Sequence, residues 1–499
     1  MSVKNILFIM ADQFRADLLF GEGGLADAVD LPNLRALMEE GTAFSSFWTV
    51  TSPCGPARAS ILTGQYAMNH RSVRNGTPLD RHIPTLPREM RKAGYAPMLF
   101  GYTDTSGDPR GRDPRDPALR NYEMPMEGFD EKLEMQLESS FPWRGYLARR
   151  GYDLPPYARF YEPQGEELDS PAFYAAEDSD TAFLTDECLK TLTGMVGERW
   201  FAHLTYIRPH PPFVAPAPWN RMFGERDIPA AAAGSELAAT HPVLREARAR
   251  APIGRYVQGR PDLSETPEAV RLVRQVYLGL AAEVDHHLGR VIEFLKKSGQ
   301  YDETLVVFAS DHGEMLGDYG LWGKASIFDA AYRIPLIIRD PSGAGAGRVV
   351  TRPTETIDLF PTLVDYVGLD CPTSVDGRSL RPLIEGDPAA DWRDHTFSEL
   401  DYSEIPMPVR GWISENLSLD QCNLAILREE NLTLVHFNGG LPPLLFDRQA
   451  GGEARDHAFD PAYAGELLRL TRKMLDHRMT HANGTLAHWA VTADGPVRA

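Results

Sequence analysis

Short apolar runs alternate with amphipathic helical patterns over the first two thirds of the chain. Buried strands are predicted at residues 6–11, 96–101, 200–207, Thr304–Ser310 and 334–338. Helices are predicted at Pro32–Glu40, 56–63 and 356–367, and a long helix follows the N-cap and first-turn pair Thr266 and Pro267. This alternation predicts an α/β fold, in which a large, mostly parallel mixed sheet is sandwiched by helices.

Two segments depart from this pattern. Residues 104–180 are rich in Pro, Gly, Arg and aromatic residues and lose the periodicity, which predicts a long excursion that covers a functional site. After residue 386 the chain turns to short strand-like pieces and an amphipathic helix near residues 466–477. We therefore predict a catalytic domain at residues 1–385 and a smaller α+β subdomain with short strands and a helix at residues 386–499.

The charge balance narrows the classes of partner. The 499 residues include 51 basic and 70 acidic side chains, for a formal charge of −19. Nucleic acids and anionic membranes both need a basic surface, so neither is expected as a partner. Apolar runs fall short of a membrane span, and the one at residues 6–10 is too short for a signal-peptide core. With four scattered cysteines, these features predict a cytoplasmic protein.

The most specific motif is Thr51-Ser-Pro-Cys54-Gly-Pro56-Ala-Arg58, followed by Leu62-Thr63-Gly64. Pro56 suits the first turn of a helix, so Cys54 is predicted at a helix N-terminus, where the free N–H groups and the dipole favour anions. Arg58 lies one turn further on and can reach the same place. An isolated cysteine is more often buried and unreactive than functional, so the functional interpretation depends on the whole motif and not on Cys54 alone.

Two pairs of polar residues follow predicted strands. Asp12-Gln13 comes after the first strand, and Asp311-His312 after the strand that follows the long helix. Ligands of open α/β sheets bind at the carboxyl ends of strands, so the two pairs predict a divalent metal site, although a single Asp there is usually a turn former. The imidazole favours manganese, iron or zinc over calcium.

The Cys54 motif resembles the sulfatase family's maturation motif, in which the cysteine is oxidised to formylglycine. The Asp-Gln and Asp-His pairs resemble the arylsulfatase and phosphonate monoester hydrolase branch of the alkaline phosphatase superfamily, and the likeness extends over residues 4–370. The resemblance implies an alkaline phosphatase-like fold and a formylglycine-generating enzyme as maturation partner. It also implies one divalent ion, with manganese preferred and calcium or zinc possible, held by Asp12, Gln13, Asp311, His312 and Cys54.

The same resemblance assigns roles to further residues, each a weak signal when taken alone. The catalytic set it implies is Cys54, Arg58, His210, Lys324 and His312. Asn75, Tyr102, Thr103 and Asp104 are implied to bind the substrate. Asp104 stands where that branch more often has a hydroxyl residue, and a carboxylate there repels an anionic substrate unless it is paired or protonated.

The resemblance implies formylglycine-dependent hydrolysis of sulfate monoesters, through a covalent intermediate on residue 54. His210 or Lys324 is expected to protonate the leaving alcohol. Two alternatives stay open: a phosphonate monoester hydrolase or phosphodiesterase with the same site, and a non-catalytic anion-binding relative in which Cys54 stays a thiol. The substrate is expected to be a small anionic ester. The tail after His481, with His488 and Trp489, predicts a homo-oligomer.

Overall fold

A computed structural model describes residues 3–498 apart from 22–23, 122, 138, 234–235, 404–416, 484–486, 488 and 494. Its strands are β1 (Asn5–Asp12), β2 (Thr42–Trp48), β3 (Thr51–Ser52), β4 (Pro97–Gly101), β5 (Asp130–Glu134), β6 (Phe201–Pro209), β7 (Thr304–Ser310), β8 (Arg333–Arg339), β9 (Arg348–Val350), β10 (Thr354–Glu355), β11 (Thr396–Asp401), β12 (Asn423–Arg428), β13 (Leu432–Phe437), β14 (Leu444–Asp447), β15 (Trp489–Thr492) and β16 (Gly495–Arg498).

The helices of the described residues form the outer layers. They are α1 (Leu25–Ala28), α2 (Pro32–Glu40), α3 (Cys54–Thr63), α4 (Ala67–His70), α5 (Leu86–Lys92), α6 (Phe141–Arg149), α7 (Asp180–Thr193), α8 (Glu236–Thr240), α9 (Pro242–Arg250), α10 (Pro267–Lys297), α11 (Asp329–Tyr332), α12 (Leu359–Tyr366), α13 (Arg381–Glu385) and α14 (Ala464–Thr480). Within the described part of the chain, no helix combines the length and the apolar character that a bilayer crossing requires.

The large sheet has the order β10-β2-β8-β7-β1-β6-β4-β5, with β9 also paired to β2. Strand β1 lies between β7 and β6 and is parallel to both, whereas β8 runs antiparallel to β7 and β2. All eight residues of β1 are buried. A strand that is covered on both faces has to be apolar along its whole length, which explains the continuous apolar run in the sequence. The predicted mixed, mostly parallel sheet is confirmed.

Alternate side chains of β1 enter two different cores. Leu7 and Ile9 pack into the core shared with α2, α7 and α10, whereas Ile6 and Phe8 pack into the core shared with α3, α5 and α12. Successive residues of a strand point to opposite faces, so these cores are the two layers that sandwich the sheet. The helix that carries Cys54 belongs to the second layer.

Helix α3 begins at Cys54 itself, two residues before the predicted start at residue 56. Pro56 therefore occupies the first turn as predicted, and Ala57 N donates to Pro53 O to close that turn. The helix ends at Gly64, whose positive φ of 68° forms the left-handed C-cap that glycine adopts readily. Cys54 thus lies inside the first turn and not in front of it.

The second sheet has the order β14-β13-β12-β11-β3. Its four C-terminal strands are antiparallel, and β11 pairs in parallel with β3, directly before Cys54. Helix α14 packs on this sheet through Leu470 and Met474. A C-terminal strand subdomain is therefore present, and its edge is hydrogen-bonded to the chain that leads into α3. The exact boundary at residue 385 stays a prediction.

The excursion at residues 104–180 is built around aromatic side chains. Trp143 of α6 is fully buried, and its ring lies 5.4 Å from that of Phe160 and 5.1 Å from that of Tyr174. Strand β5 extends the edge of the large sheet beside β4. At the other end of the chain, His488 lies outside the described residues, and β15 and β16 form a hairpin. The homo-oligomer stays a prediction.

Two buried histidines predict a loss of stability in mild acid. Burial, and then Arg58, lowers the pKa of His203 to about 3, and burial with His481 and His395 lowers that of His477 to about 2. Below pH 6.5, the ordinary pKa of histidine, these two side chains become protonated in the unfolded chain but stay neutral in the folded chain. Each histidine therefore removes up to about 1.4 kcal/mol of the unfolding free energy per pH unit as the pH falls below about 6.5.

Denaturant unfolding at pH 7.5 and 5.5 tests this for His203. The His203→Gln variant retains a donor for Phe8 O, which accepts from His203 Nδ1 at 3.1 Å. We expect its loss of stability between the two pH values to be about 1 kcal/mol smaller than that of the wild type. The exposed His82→Gln variant serves as control and keeps the wild-type loss. An equal loss in the His203 variant would contradict the assignment.

Candidate active site

The site forms where β1 and β7 end side by side. The parallel register pairs Ala11 with Ser310, so Asp12 and Asp311 emerge next to each other. Together with Cys54 and His312 they form a buried group whose possible ligand atoms all lie within 4.8 Å of one another. The predicted convergence of the two strand ends with the start of α3 is therefore present in the structure.

Arg58 lies between the two carboxylates. Its Nη2 donates to Asp12 Oδ2 and its Nε to Asp311 Oδ2, both at 3.0 Å, and all three side chains are fully buried. Burial would raise the pKa of Asp12, but the neighbouring His210, Lys324 and Arg58 outweigh it and hold this pKa well below its usual range. Burial and the charge of Asp12 raise the pKa of Asp311. The two carboxylates, which share one arginine, therefore favour the binding of a further cation at the site.

His312 presents one ring nitrogen to the site. Its Nδ1 donates to Gly313 O at 3.0 Å, so the neutral ring has a free electron pair on Nε2, which lies 3.2 Å from Cys54 Sγ. Burial, and then Lys324, lowers the pKa of His312 to about 3, which keeps the ring neutral. A neutral imidazole that is fixed through its other nitrogen is the usual form of a metal-ligating histidine.

Gln13 adopts a left-handed backbone conformation with φ of 70° at the end of β1. Its amide oxygen accepts from Lys324 Nζ at 2.9 Å, and its amide nitrogen donates to the buried Glu314. Glu314 also accepts from Gly323 N at 2.6 Å. Glu314 therefore links Gln13 to the loop that carries Lys324. The sequence motif Asp-His-Gly-Glu contains this residue, but its role depends on a contact across 301 positions of the chain.

The donor set fits a divalent cation. Two carboxylates and a neutral imidazole are oxygen and nitrogen donors of the kind that manganese and zinc accept, and the Gln13 amide lies beside them. Asp12 Oδ1 and Asp311 Oδ1 lie 3.7 and 3.8 Å from His312 Nε2. Arg58 bonds to the other oxygen of each carboxylate, so the two Oδ1 atoms face His312. Asp311 Oδ1 also accepts from the backbone nitrogens of Gln13 and His312 at 3.1 and 2.9 Å, which fix it in that orientation. Asp12, Asp311, His312 and residue 54 would hold it.

Lys324 and His210 flank Cys54 on the solvent side. Lys324 Nζ donates to Cys54 Sγ at 3.0 Å. Burial opposes its charge, but Cys54 and Asp12 outweigh this effect and raise the pKa of Lys324. His210 is half-buried at the cleft, where burial, and then Lys324, lowers its pKa to about 3. The structure thus brings both predicted proton donors to the mouth of the site.

A buried arginine that the sequence did not single out holds the His210 loop. Arg208 Nη1 donates to the carbonyl oxygens of His210 and Pro212, both at 3.0 Å, and its Nε donates to Asp180 Oδ2 at 3.0 Å. Asp180 opens α7, at the end of the excursion. Arg208 directly precedes the Pro-His-Pro-Pro sequence, but its carboxylate partner lies 28 positions away and no local pattern identifies it.

The four predicted substrate-binding residues divide into two groups. Asn75 Oδ1 accepts from Gly55 N at 3.0 Å, which places this exposed side chain beside residue 54. Asp104 is buried close to the charged group, and its Oδ1 has no hydrogen-bond partner among the described residues. Burial is the main cause that raises its pKa to about 7, with Arg58 opposing and Asp12 adding to the shift.

Tyr102 and Thr103 make structural contacts. The Tyr102 hydroxyl bonds to Arg58 and to Asp12, and its ring lies 4.0 Å from the Arg58 guanidinium. The Thr103 hydroxyl donates to Met124 O and accepts from Met126 N, which attaches the excursion to the end of β4. Tyr102 thus orients Arg58, and the Thr103 hydroxyl is engaged with the excursion and not with the metal-binding group.

Comparison with known proteins agrees with this geometry. The sulfatase family model matches residues 4–369. The protein belongs to the sulfatase family. The chain is 39% identical to the multifunctional alkaline phosphatase superfamily protein PehA of Trinickia caryophylli, over 99% of both chains. It is 29% identical to the choline-sulfatase of Rhizobium meliloti, over 77% of this chain and 72% of that one.

Solved structures place it within one branch of the family. This member of the family superimposes on the phosphonate monoester hydrolase of Silicibacter pomeroyi with a TM-score of 0.96 and 52% identity, over 99% of both chains. The phosphonate monoester hydrolase of Agrobacterium radiobacter matches with a TM-score of 0.94 and 41% identity, also over 99% of both chains. The resemblance to this branch that the Asp-Gln and Asp-His pairs indicated is thereby confirmed.

The metal site predicts that Asp311→Asn loses bound metal. The amide has the shape of the carboxylate but no charge, so it is a weaker ligand for a divalent ion. We expect at least about tenfold weaker retention, since even changes next to a metal ligand cost this much. Metal content after gel filtration, measured by plasma mass spectrometry, checks the prediction. The exposed Asp113→Asn variant, which removes only a pair with Arg115, should keep its metal. Wild-type content in Asp311→Asn would contradict the site.

The Arg208 contacts predict a slower enzyme in Arg208→Lys. One ammonium group cannot reproduce the planar set of bonds to Asp180 and two carbonyl groups, so the His210 loop should shift. Displacements of about 1 Å near reacting groups can reduce turnover by about 100-fold. We therefore expect kcat to fall between about tenfold and 100-fold, with metal content and circular dichroism unchanged. An unchanged kcat would show that the loop holds its place without Arg208.

Proposed function

We propose that this sulfatase-family protein hydrolyses small monoanionic esters at residue 54, with phosphonate monoesters and phosphate diesters as its main substrates. The observation that carries this is the 52% identity, over 99% of both chains, to a phosphonate monoester hydrolase that has the same fold. The donor set of Asp12, Asp311 and His312 supports it. The sequence favoured sulfate monoesters first, so the proposal reverses the order of the two candidate substrates.

Sulfate monoesters are the second candidate. Relatives named choline-sulfatase and arylsulfatase are 29% and 26% identical to this chain, and the full-length relative from Trinickia caryophylli is described as multifunctional. Sulfate monoesters, phosphonate monoesters and phosphate diesters share a single negative charge and a tetrahedral centre. A site that recognises this common feature can act on all three classes, with different efficiency.

We propose that Cys54 is converted to formylglycine by a formylglycine-generating enzyme. As a hydrated aldehyde, this residue supplies one hydroxyl as nucleophile and a second hydroxyl that allows the transferred group to be released. A divalent ion held by the carboxylates, His312 and residue 54 would lower the pKa of that nucleophile. The raised pKa of the buried Cys54 thiol, caused by burial and then by Asp12, agrees with a residue that does not act as a thiolate.

The side chains of this chain have distinct tasks in the reaction. Lys324 Nζ, 3.0 Å from Cys54 Sγ, is placed to pair with a non-bridging oxygen of the substrate as charge develops there. Asn75 lies beside the N-terminus of α3, where its amide nitrogen can donate to the same group. Of the two residues that line the cleft through which the alcohol departs, Lys324 delivers the proton, because it stays charged. His210 is neutral near pH 7, since burial lowers its pKa to about 3, and its Nδ1 donates to Pro211 O at 2.5 Å.

Charge favours a monoanion over a dianion. Arg58 and Lys324 offset Asp12 and Asp311, so the added positive charge of the site is that of the divalent ion. Asp104 lies close to these groups, and when it is ionised it reduces the net positive charge of the site, so that a single negative charge on the substrate suits it better than two. A phosphate monoester brings two negative charges to this site, whereas a phosphonate monoester, a phosphate diester or a sulfate monoester brings one. We therefore propose the singly charged esters as substrates.

The test measures kcat/KM for an aryl phosphonate monoester, a phosphate diester and an aryl sulfate with one common aryl alcohol, on metal-supplemented enzyme. We expect the phosphonate monoester or the diester to exceed the sulfate by at least about tenfold, which corresponds to about 1.4 kcal/mol in transition-state binding. If kcat/KM were highest for the aryl sulfate, the proposed mechanism would stand, but sulfate monoesters would be the main substrate.

The nucleophile is tested with Cys54→Ala, which should abolish turnover of all three esters while circular dichroism stays unchanged. The exposed Cys371→Ala variant serves as control and should keep wild-type activity. Peptide mass spectrometry of residue 54 decides its chemical state. A thiol in the whole population, with no turnover, would support the non-catalytic anion-binding alternative. Wild-type activity of Cys54→Ala would exclude residue 54 as nucleophile.

A further inference from the structure

The cleft above Cys54 extends beyond the groups that the hydrolysis uses. It has a volume of about 480 Å³. Gln13, His210 and Lys324 line its inner end, next to the metal-binding group. Its outer part is lined by side chains with no role in the mechanism above: Leu137 of the excursion, Arg255, Tyr256 and Trp322. These four residues are called the rim here.

Two aromatic side chains form one wall of the rim. The rings of Tyr256 and Trp322 lie 6.0 Å apart with a tilt of 34°. Tyr256 stacks on Phe213 behind it, at 6.1 Å and 19°. Trp322 is 4% exposed, and its Nε1 donates to Glu265 at 3.3 Å. Both rings are therefore held in place by their neighbours. The half-buried Tyr256 offers most of the preformed surface for a flat apolar group, and the almost fully buried Trp322 supports it.

This wall reaches as far as the catalytic lysine. Gly323, between Trp322 and Lys324, has a positive φ of 77°, and a Cβ placed there would lie 2.3 Å from the Tyr256 hydroxyl oxygen. The Tyr256 side chain thus passes directly over the backbone next to Lys324. The Tyr256 hydroxyl therefore lies beside the residue that precedes Lys324, within the same cleft.

The open end carries Arg255, a cation that pairs with no carboxylate among the described residues. Arg255 is exposed, and its Nη1 donates to the backbone oxygen of Arg250 at 3.2 Å. Over the part of the chain that the structure describes, Arg255 forms no ion pair. Its neighbour Arg250, by contrast, is paired with Glu246 at 2.7 Å. In a protein of formal charge −19, an unneutralised guanidinium at the mouth of a cleft is a local attraction for anions.

We propose that the rim is the leaving-group subsite, and that it selects esters of an aromatic alcohol that carries a second negative charge, such as a carboxylate, at the end opposite the ester bond. The ring packs on Tyr256 and Trp322, with Leu137 on the cleft wall. The carboxylate meets the Arg255 guanidinium, whose planar donors suit it. This inference rests on the proposed function, because it specifies the alcohol of the same substrates. Esters of cationic alcohols are disfavoured by the same charge.

The test compares two phosphonate monoesters whose leaving groups are 4-hydroxybenzoate and its neutral isostere 4-hydroxybenzamide. The ratio of their kcat/KM values is measured for the wild type and for Arg255→Met, so that differences in intrinsic reactivity cancel. We expect the ratio to fall by about threefold to fivefold in the variant, the upper part of the range for an ion pair with an exposed guanidinium. The value for the benzamide ester should change by less than about twofold, because Met keeps the apolar part of the side chain.

Arg260→Met is the matched control. Arg260 lies five positions further on, outside the lining of the cleft, and its Nη2 donates to Gly165 O at 2.9 Å. This variant should retain the wild-type ratio. An unchanged ratio in Arg255→Met, or an equal fall in Arg260→Met, would overturn the subsite and leave the proposed function intact.

A binding measurement separates the two proposals if neither ester is hydrolysed. Calorimetric titration of the wild type with 4-hydroxybenzoate and with 4-hydroxybenzamide reports on the subsite without turnover. Tighter binding of the benzoate that is lost in Arg255→Met would support the rim as a site for anionic aromatic alcohols, while the proposed hydrolysis fails. Equal binding of both compounds to the wild type and the variant would overturn the rim assignment.

Discussion

The buried bridge of Arg58 between Asp12 and Asp311 is the interaction on which the rest of the site depends. Its three members come from α3, from the end of β1 and from the residue after β7, so the bridge joins a helix of one layer to two adjacent strands of the sheet. Leaving such charges unpaired in the interior costs about 3–5 kcal/mol. The bridge therefore places Cys54, at the start of the same helix, beside the carboxylates.

Further contacts position the groups around this bridge. Strand β3, directly before Cys54, pairs with β11 of the second sheet, so the C-terminal strands contribute to the position of α3. Glu314 connects Gln13 with the Lys324 loop, and Arg208 holds the backbone at His210. Lys324 and His210 lie in loops, and the buried charged residues Glu314 and Arg208 hold these two loops. This arrangement keeps a solvent-facing site in one geometry.

The sequence predicted the α/β fold, its central strands and the residues that meet at the metal site. These features follow from local patterns: an apolar run marks a strand buried on both faces, and polar residues directly after two parallel neighbours must lie at one edge of the sheet. The start of α3 at Cys54 and the hydrogen bonds of Tyr102 and Thr103 were not predicted, and the substrate-binding role assigned to these two residues stays a prediction. They depend on which way a side chain turns, and the hydrogen bonds to Arg58 and to the excursion decide that.

By itself, the sequence determined the family, the sheet and the chemistry available at the strand ends, because spacing along the chain is enough to place residues on one strand, one turn or one helix face. Only the tertiary structure decided which groups surround that chemistry. Leu137, Tyr256 and Trp322 come from three distant segments and share one cleft, and Arg208 meets a carboxylate 28 positions away. Such contacts form when distant segments pack together, and no local pattern in the sequence predicts them.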